Sequence, residues 1–144
     1  MKLTKNLLIL SLTSMLFITT ACEDNDGHDH DHEAESATIS GTITVSGDWP
    51  STGTVYLSLF NEWPSTGTPY KSETITEAGL VDNAYTYTFT NVTFGTYPML
   101  SVSWLDPEDS NPATNQHTKG YYADEITVSS DNHEVTGIDF TATF

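Results

Sequence analysis

The stretch AYTYTFTNVTFGTYPMLSVSW, Ala84 to Trp104, decides the fold class. Its first part alternates: Tyr85, Tyr87 and Phe89 fall on one face of an extended chain, with threonines between them. Asn91 and Gly95 then supply a turn, and the chain returns as TYPMLSVSW. The same grammar extends in both directions. Upstream, ATISGTITVS brings Ile39, Ile43 and Val45 to one face, and TVYLSLF brings Val55, Leu57 and Leu59. Downstream, YYADEITVSS carries Ile126 and Val128, and EVTGIDFTATF carries Val135, Ile138 and Phe140. With a weaker run at PYKSETI and no helical periodicity, these segments predict an all-β domain, a seven-stranded antiparallel β-sandwich.

Ahead of this domain the chain reads as a targeting segment. Lys2 and Lys5 precede the apolar stretch LLILSLTSMLFITTA, which is too short and wrongly flanked for a stable membrane span. Residues 1–21 are thus expected to be a signal peptide. The single cysteine, Cys22, follows at once. FITTAC resembles the lipobox at which bacterial lipoproteins are cut and acylated, with Thr19 standing where that family usually has Leu. The resemblance implies lipidation, palmitate included, at Cys22. Each buried methylene contributes about 0.8 kcal/mol, so several acyl chains would make a membrane anchor that is effectively permanent.

Of the chain's four basic residues, two lie in the signal peptide, which leaves Lys71 and Lys119 against 20 Asp and Glu and no Arg. Such a field repels nucleic acid, which is excluded as a partner. Residues 22–36 hold EDNDGHDHDHEAES, too polar to order themselves. An acidic run after a lipidated cysteine resembles the surface-export signal of lipoproteins in some Gram-negative groups. It implies an outer-membrane location, facing the cell exterior. His28, His30 and His32 alternate with Asp29 and Asp31, so imidazoles share one side of an extended segment. Imidazole suits zinc, copper and nickel, which makes a transition-metal-binding lipoprotein the second functional class.

For the folded part, residues 37–144, ISGTITVSG, YTYTFTNVTFGTYPM and ITVSSDNHEVTGIDFT together resemble the transthyretin-like, or prealbumin-like, sandwich domains of exported bacterial proteins, related to carboxypeptidase regulatory-like domains. The resemblance implies a Greek-key sandwich of transthyretin or immunoglobulin type. Within that superfamily the enzymes that hydrolyse 5-hydroxyisourate end in a Tyr-Arg-Gly-Ser motif. This chain ends DFTATF and has no Arg, so that activity is not implied.

WPSTGT occurs twice, at Trp49 to Thr54 and at Trp63 to Thr68, on either side of one strand. Antiparallel neighbours would place the copies at opposite ends, about 20 Å apart, as turn chemistry used twice. The same parity gathers the loops at 47–53, 76–83 and 105–119 at one end, with Asp48, Trp49, Glu77, Asp82, Trp104 and His117. In the long loop LDPEDSNPATNQHTK, Asp106, Glu108, Asp109 and Asn111 carry the hard oxygens that calcium takes. Trp49 and Trp104 are the candidate ligand-stacking residues, for a glycan or a surface protein complex.

Nucleophilic catalysis needs a Ser or Cys beside a base, yet Cys22 is expected to be acylated and no G-x-S-x-G elbow occurs. His117 and His133 fall at opposite ends by parity. The expected function is therefore non-catalytic: a lipid-anchored surface lipoprotein serving as a ligand- or protein-interaction module.

Overall fold

The computed structural model describes residues 35–144; Cys22, His28, His30 and His32 lie outside them. The described chain is all-β. Its strands are β1 (Ala37–Ser46), β2 (Thr54–Phe60), β3 (Lys71–Ile75), β4 (Ala84–Val92) and β5 (Gly95–Tyr97), then β6 (Met99–Leu105), β7 (Gln116–Tyr122), β8 (Ile126–Val128), β9 (Glu134–Val135) and β10 (Phe140–Thr143). A single 3₁₀ turn, Glu77–Gly79, interrupts them. Among the described residues no helix is long and apolar enough to cross a membrane.

Two four-stranded sheets carry the fold. In the first, β1 lies between β10 and β4 and also pairs with β9; the second runs β3-β2-β6-β7, and β5 and β8 form a separate ribbon. The alternating residues that the sequence nominates make one core. Ile39 and Ile43 of β1, Leu57 and Leu59 of β2, Phe89 of β4 and Leu100 and Val102 of β6 are all buried together. This arrangement is consistent with a β-sandwich.

Ten strands replace the seven expected, for local reasons. Pro98, which has no N–H to donate, divides TYPMLSVSW into β5, paired with β8, and β6, paired with β2 and β7. YYADEITVSS and EVTGIDFTATF divide likewise, the latter around Gly137, whose φ is 73°. PYKSETI does contribute a strand, β3, antiparallel to β2. Pairing is also mixed rather than wholly antiparallel, because β9 and β10 run parallel to β1. Parity explains this: an odd-numbered run laid beside the first must point the same way.

The two open sides of this pair of sheets differ. On one side β7 and β10 approach so closely that a Cβ on Gly120 would stand 2.2 Å from the carbonyl oxygen of Thr141. On the other, β3 and β4 leave a depression of about 330 Å³ that includes Lys71, Glu73 and Phe89. Glu73 sits opposite Leu57, on the core-facing side of the edge strand β3, and its buried Oε1 has no hydrogen-bond partner. An inward carboxylate on an edge strand discourages pairing with another chain, at a cost in stability.

Burial pushes the Glu73 carboxyl above its ordinary value, and the hydroxyl of Tyr85 lowers it only in part. A raised value in the folded state means that folding is favoured when the group is protonated. That contribution is fully present below the unfolded value of 4.5 and is lost as pH rises through the folded one. Glu73→Gln is therefore expected to stabilise the protein at pH 7 by about 0.5 kcal/mol, after allowance for the solvent that still reaches the group. In thermal unfolding this reads as a Tm rise of ~2–4 °C that shrinks toward zero as the pH falls to 4.5. An unchanged Tm at pH 7 would remove the buried carboxylate from the argument.

Candidate functional site

The predicted gathering of loops occurs. Asp48, Trp49, Glu77, Asp82 and Asn83 line one depression of about 540 Å³ at the end of the sheets where β1 finishes. Trp104 Nε1 donates to the Thr52 carbonyl at 2.8 Å, which ties the end of β6 to the same cluster of loops. The tryptophans here pack against neighbouring rings. Trp49 lies 5.1 Å from the Phe144 ring, and Trp104 stacks on His117 at 5.5 Å. Lys119 Nζ stands 5.2 Å from the Trp104 ring and 5.6 Å from Phe144, so the cation adheres to ring faces rather than to a carboxylate. Both Trp49 and Trp104 are half-buried against the core.

The acidic loop is shorter than its sequence suggests, because β7 begins at Gln116 and carries His117 on a strand. The side chains of Asp106, Asp109 and Asn111 turn inward on the loop itself. Asp106 Oδ1 accepts from the Glu108 amide at 2.9 Å, and Asp109 Oδ1 accepts from the Asn111 amide at 2.9 Å. Asp109 Oδ2 accepts from the Thr114 hydroxyl at 2.7 Å, and Asn111 Oδ1 accepts from the Ala113 amide at 3.0 Å. These are side-chain turns that hold a loop. The Thr114 hydroxyl and the Asn111 amide also hold the Asp109 carboxyl below its ordinary range. Among the described residues no three His, Cys, Asp or Glu converge as a metal centre requires. Nor do the two described histidines meet: His117 pairs with Trp104 near the end of β6, whereas His133 Nδ1 lies 2.8 Å from the Ser130 carbonyl beside the start of β1.

A different surface holds the exposed aromatics. On β2 the core takes Val55, Leu57 and Leu59, so Ser58 and Phe60 point to the opposite face of the second sheet; on β6 the core takes Leu100 and Val102, so Ser101 and Ser103 do the same. On β7 the register shifts between Ser103, which faces Thr118, and Val102, which faces Gly120. Lys119 is the extra residue. That bulge reverses the parity of the strand, and Tyr121, opposite Ser101, joins Thr118 and Gln116 on the outer face.

This face is a floor with walls. The loop after β2 forms one wall, with Trp63 held against Phe60 at 5.7 Å in an edge-on arrangement. Within that loop Glu62 accepts from the hydroxyl of Thr66 at 2.6 Å, and Ser65 donates to the Gly67 carbonyl at 2.8 Å. The Trp63–Pro64 peptide is cis. Pro112 and Ala113 of the acidic loop form the opposite wall. Two adjoining depressions result, of about 370 and 400 Å³, which share Trp63, Ser101 and Thr118; the second ends at Met99 and Tyr121. Each falls in the range of small-molecule sites. Trp63 is 52 % exposed and Tyr121 56 %, which sets them apart from the tryptophans at the end of the sheets.

Sequence reading nominated Trp49 and Trp104 for stacking, read Trp63 chiefly as part of a repeated turn with aromatic contacts at each end as the alternative, and did not single out Tyr121. The signal available was the serines of LSLF and LSVSW, small polar residues that stand on the non-core face of central strands and are nonetheless buried, beneath whatever covers that face. Compared with known proteins, the chain matches no family model, no curated protein and no solved structure, so its functional reading stands on these residues.

Proposed function

We propose that the protein is a non-catalytic lipoprotein, acylated on Cys22 and held at the outer membrane facing the exterior, whose β domain binds a ligand or partner through the outer face of its second sheet. One observation carries the binding reading: two half-exposed aromatic rings, Trp63 and Tyr121, border one groove floored by β6 and the edge strand β7. Exposed aromatics over a rigid sheet are the residues that dominate binding energy elsewhere. The anchor reading rests on the apolar leader, Cys22 and the acidic run that follows. On the same reading the domain is a Greek-key sandwich of transthyretin or immunoglobulin type, which the crossings of β1 to β2 and β3 to β4 between the two sheets support.

Cell fractionation tests the anchor. Wild-type protein is expected with the membranes and Cys22→Ser in the soluble fraction; equal distribution of the two would reject acylation. Hydrogen exchange tests the face. Incubation with an extract of cell-surface glycans and proteins is expected to protect backbone amides of β6 and β7 in the wild type but not in a Trp63→Ala, Tyr121→Ala double variant. Identical exchange in both proteins would mean that the face binds nothing present there.

A further inference from the structure

We infer that the groove bordered by Trp63 and Tyr121 takes a neutral oligosaccharide built of pyranose rings; this rests on the interaction-module reading and names the class of its ligand. Charge is the first argument. The chain carries 20 acidic residues, yet every residue lining the two joined depressions is uncharged. A cationic ligand would find no partner in the groove, and an anionic one would meet the field around it.

The floor is the second argument. It is made of Ser101, Ser103 and Thr118, with Gln116 beside them. Protein interfaces are depleted in serine at their centres, where apolar contact is required, so this floor is poorly matched to a protein partner. It is well matched to hydroxyl groups. Gln116 Nε2 donates to Ser103 Oγ at 2.7 Å. That bond anchors Gln116 from below and leaves its carbonyl free to accept, while the exposed hydroxyl of Thr118, two residues on and on the same face, is free to donate, a donor and an acceptor side by side as neighbouring sugar hydroxyls need.

The aromatic rings are the third argument. A pyranose has one face of C–H bonds, whose positive edge suits the negative face of an aromatic ring. Trp63 and Tyr121 supply two such rings along one groove. From Gln116 to Tyr121 the strand spans about 17 Å, the length of a short oligosaccharide rather than of one sugar. The bulge at Lys119 is what places the second ring there, since a regular strand would turn Tyr121 to the core.

Full-length lipidated protein in a detergent without a sugar head group would be titrated with neutral cello-, manno-, xylo- and laminari-hexasaccharides and, as a charged control, with hexagalacturonate, following tryptophan fluorescence and binding heat. At least one neutral hexasaccharide is expected to bind. Trp63→Ala and Tyr121→Ala should each weaken it by about tenfold or more, and Gln116→Leu by a few-fold, with Tm held as a control on folding. Binding that survives both aromatic substitutions, or that is as strong for hexagalacturonate, would overturn the inference. Silence from every glycan would also overturn it. If a photo-crosslinker at position 63 then captures a protein from the cell surface, the interaction-module reading survives; if it captures nothing, both readings fail.

Discussion

A chain ending at Gly137 is expected to lose its cooperative fold. The missing segment, Ile138 to Phe144, supplies the core residues Ile138 and Ala142, and Phe140 and Phe144 pack against that core. Burying one such large side chain contributes about 1.5–3 kcal/mol. Polar losses add to this. Tyr87, 2 % exposed, donates its hydroxyl to the Ile138 carbonyl at 2.8 Å, and Asp139 Oδ1 accepts from the Thr42 amide at 2.7 Å. An orphaned buried hydroxyl costs about 1–3 kcal/mol. Strand β1 would also lose its ladder with β10 from Ile43 to Ser46 and become an unprotected edge. Together these losses rival the ~5–15 kcal/mol by which a domain is stable. Urea titration followed by circular dichroism should show no sharp transition for the shortened chain. A transition within ~2 kcal/mol of the full chain would show β10 to be an accessory.

Gly41→Ala is expected to destabilise by about 3 kcal/mol, against the sign that strand propensity gives. Glycine within a strand is ordinarily the worse residue, by roughly 0.5–1 kcal/mol. Gly41 occupies a core-facing position of β1, directly opposite Tyr87. The chain between β9 and β10 comes so close that a Cβ at position 41 would stand 2.1 Å from the Ile138 carbonyl oxygen and 2.5 Å from its carbon. Both are backbone atoms, so no rotamer change relieves the clash; the segment must move, and the Tyr87 hydroxyl then loses its acceptor. Tyrosine laid across a facing glycine fills the volume that glycine leaves. Gly67→Ala is the control, because nothing lies within 4 Å of a Cβ there. Urea unfolding should separate the two variants by about 3 kcal/mol, and equal midpoints would disprove the close approach.

The sequence disclosed what depends on nearest neighbours. Alternation located β1, β2, β4 and β6 with the core residues they carry, and counting reversals placed the loops around Trp49, Glu77 and Trp104 at one end. What it withheld depends on distant residues. The two WPSTGT copies are identical for six residues, yet Trp49 packs on Phe144 while Trp63 stands edge-on to Phe60 and is half exposed. Nothing within either copy determines that difference. The bulge at Lys119 is likewise invisible locally, and it exchanges the faces on which Tyr121 and Tyr122 stand. Local sequence was equally silent on the acidic loop's internal bonding: Asp106, Asp109 and Asn111, which carry oxygens of the kind calcium takes, accept from backbone amides of the same loop.

The central position of β1 has a consequence in time. Its parallel partner lies 97 residues downstream, the separation between Thr42 and Asp139, which are bonded across the two segments. At a synthesis rate of about 5–20 residues per second, β1 exists for ~5–20 s before β10 has been made. During that interval Ile39, Ile43 and Val45 have no completed sheet to enter. Long-range pairing of this kind slows folding, because the intervening chain must be ordered before the contact returns any energy. The sheet around β1 therefore closes only after nearly the whole domain has been made, and until β10 follows the chain lacks the strand that completes it.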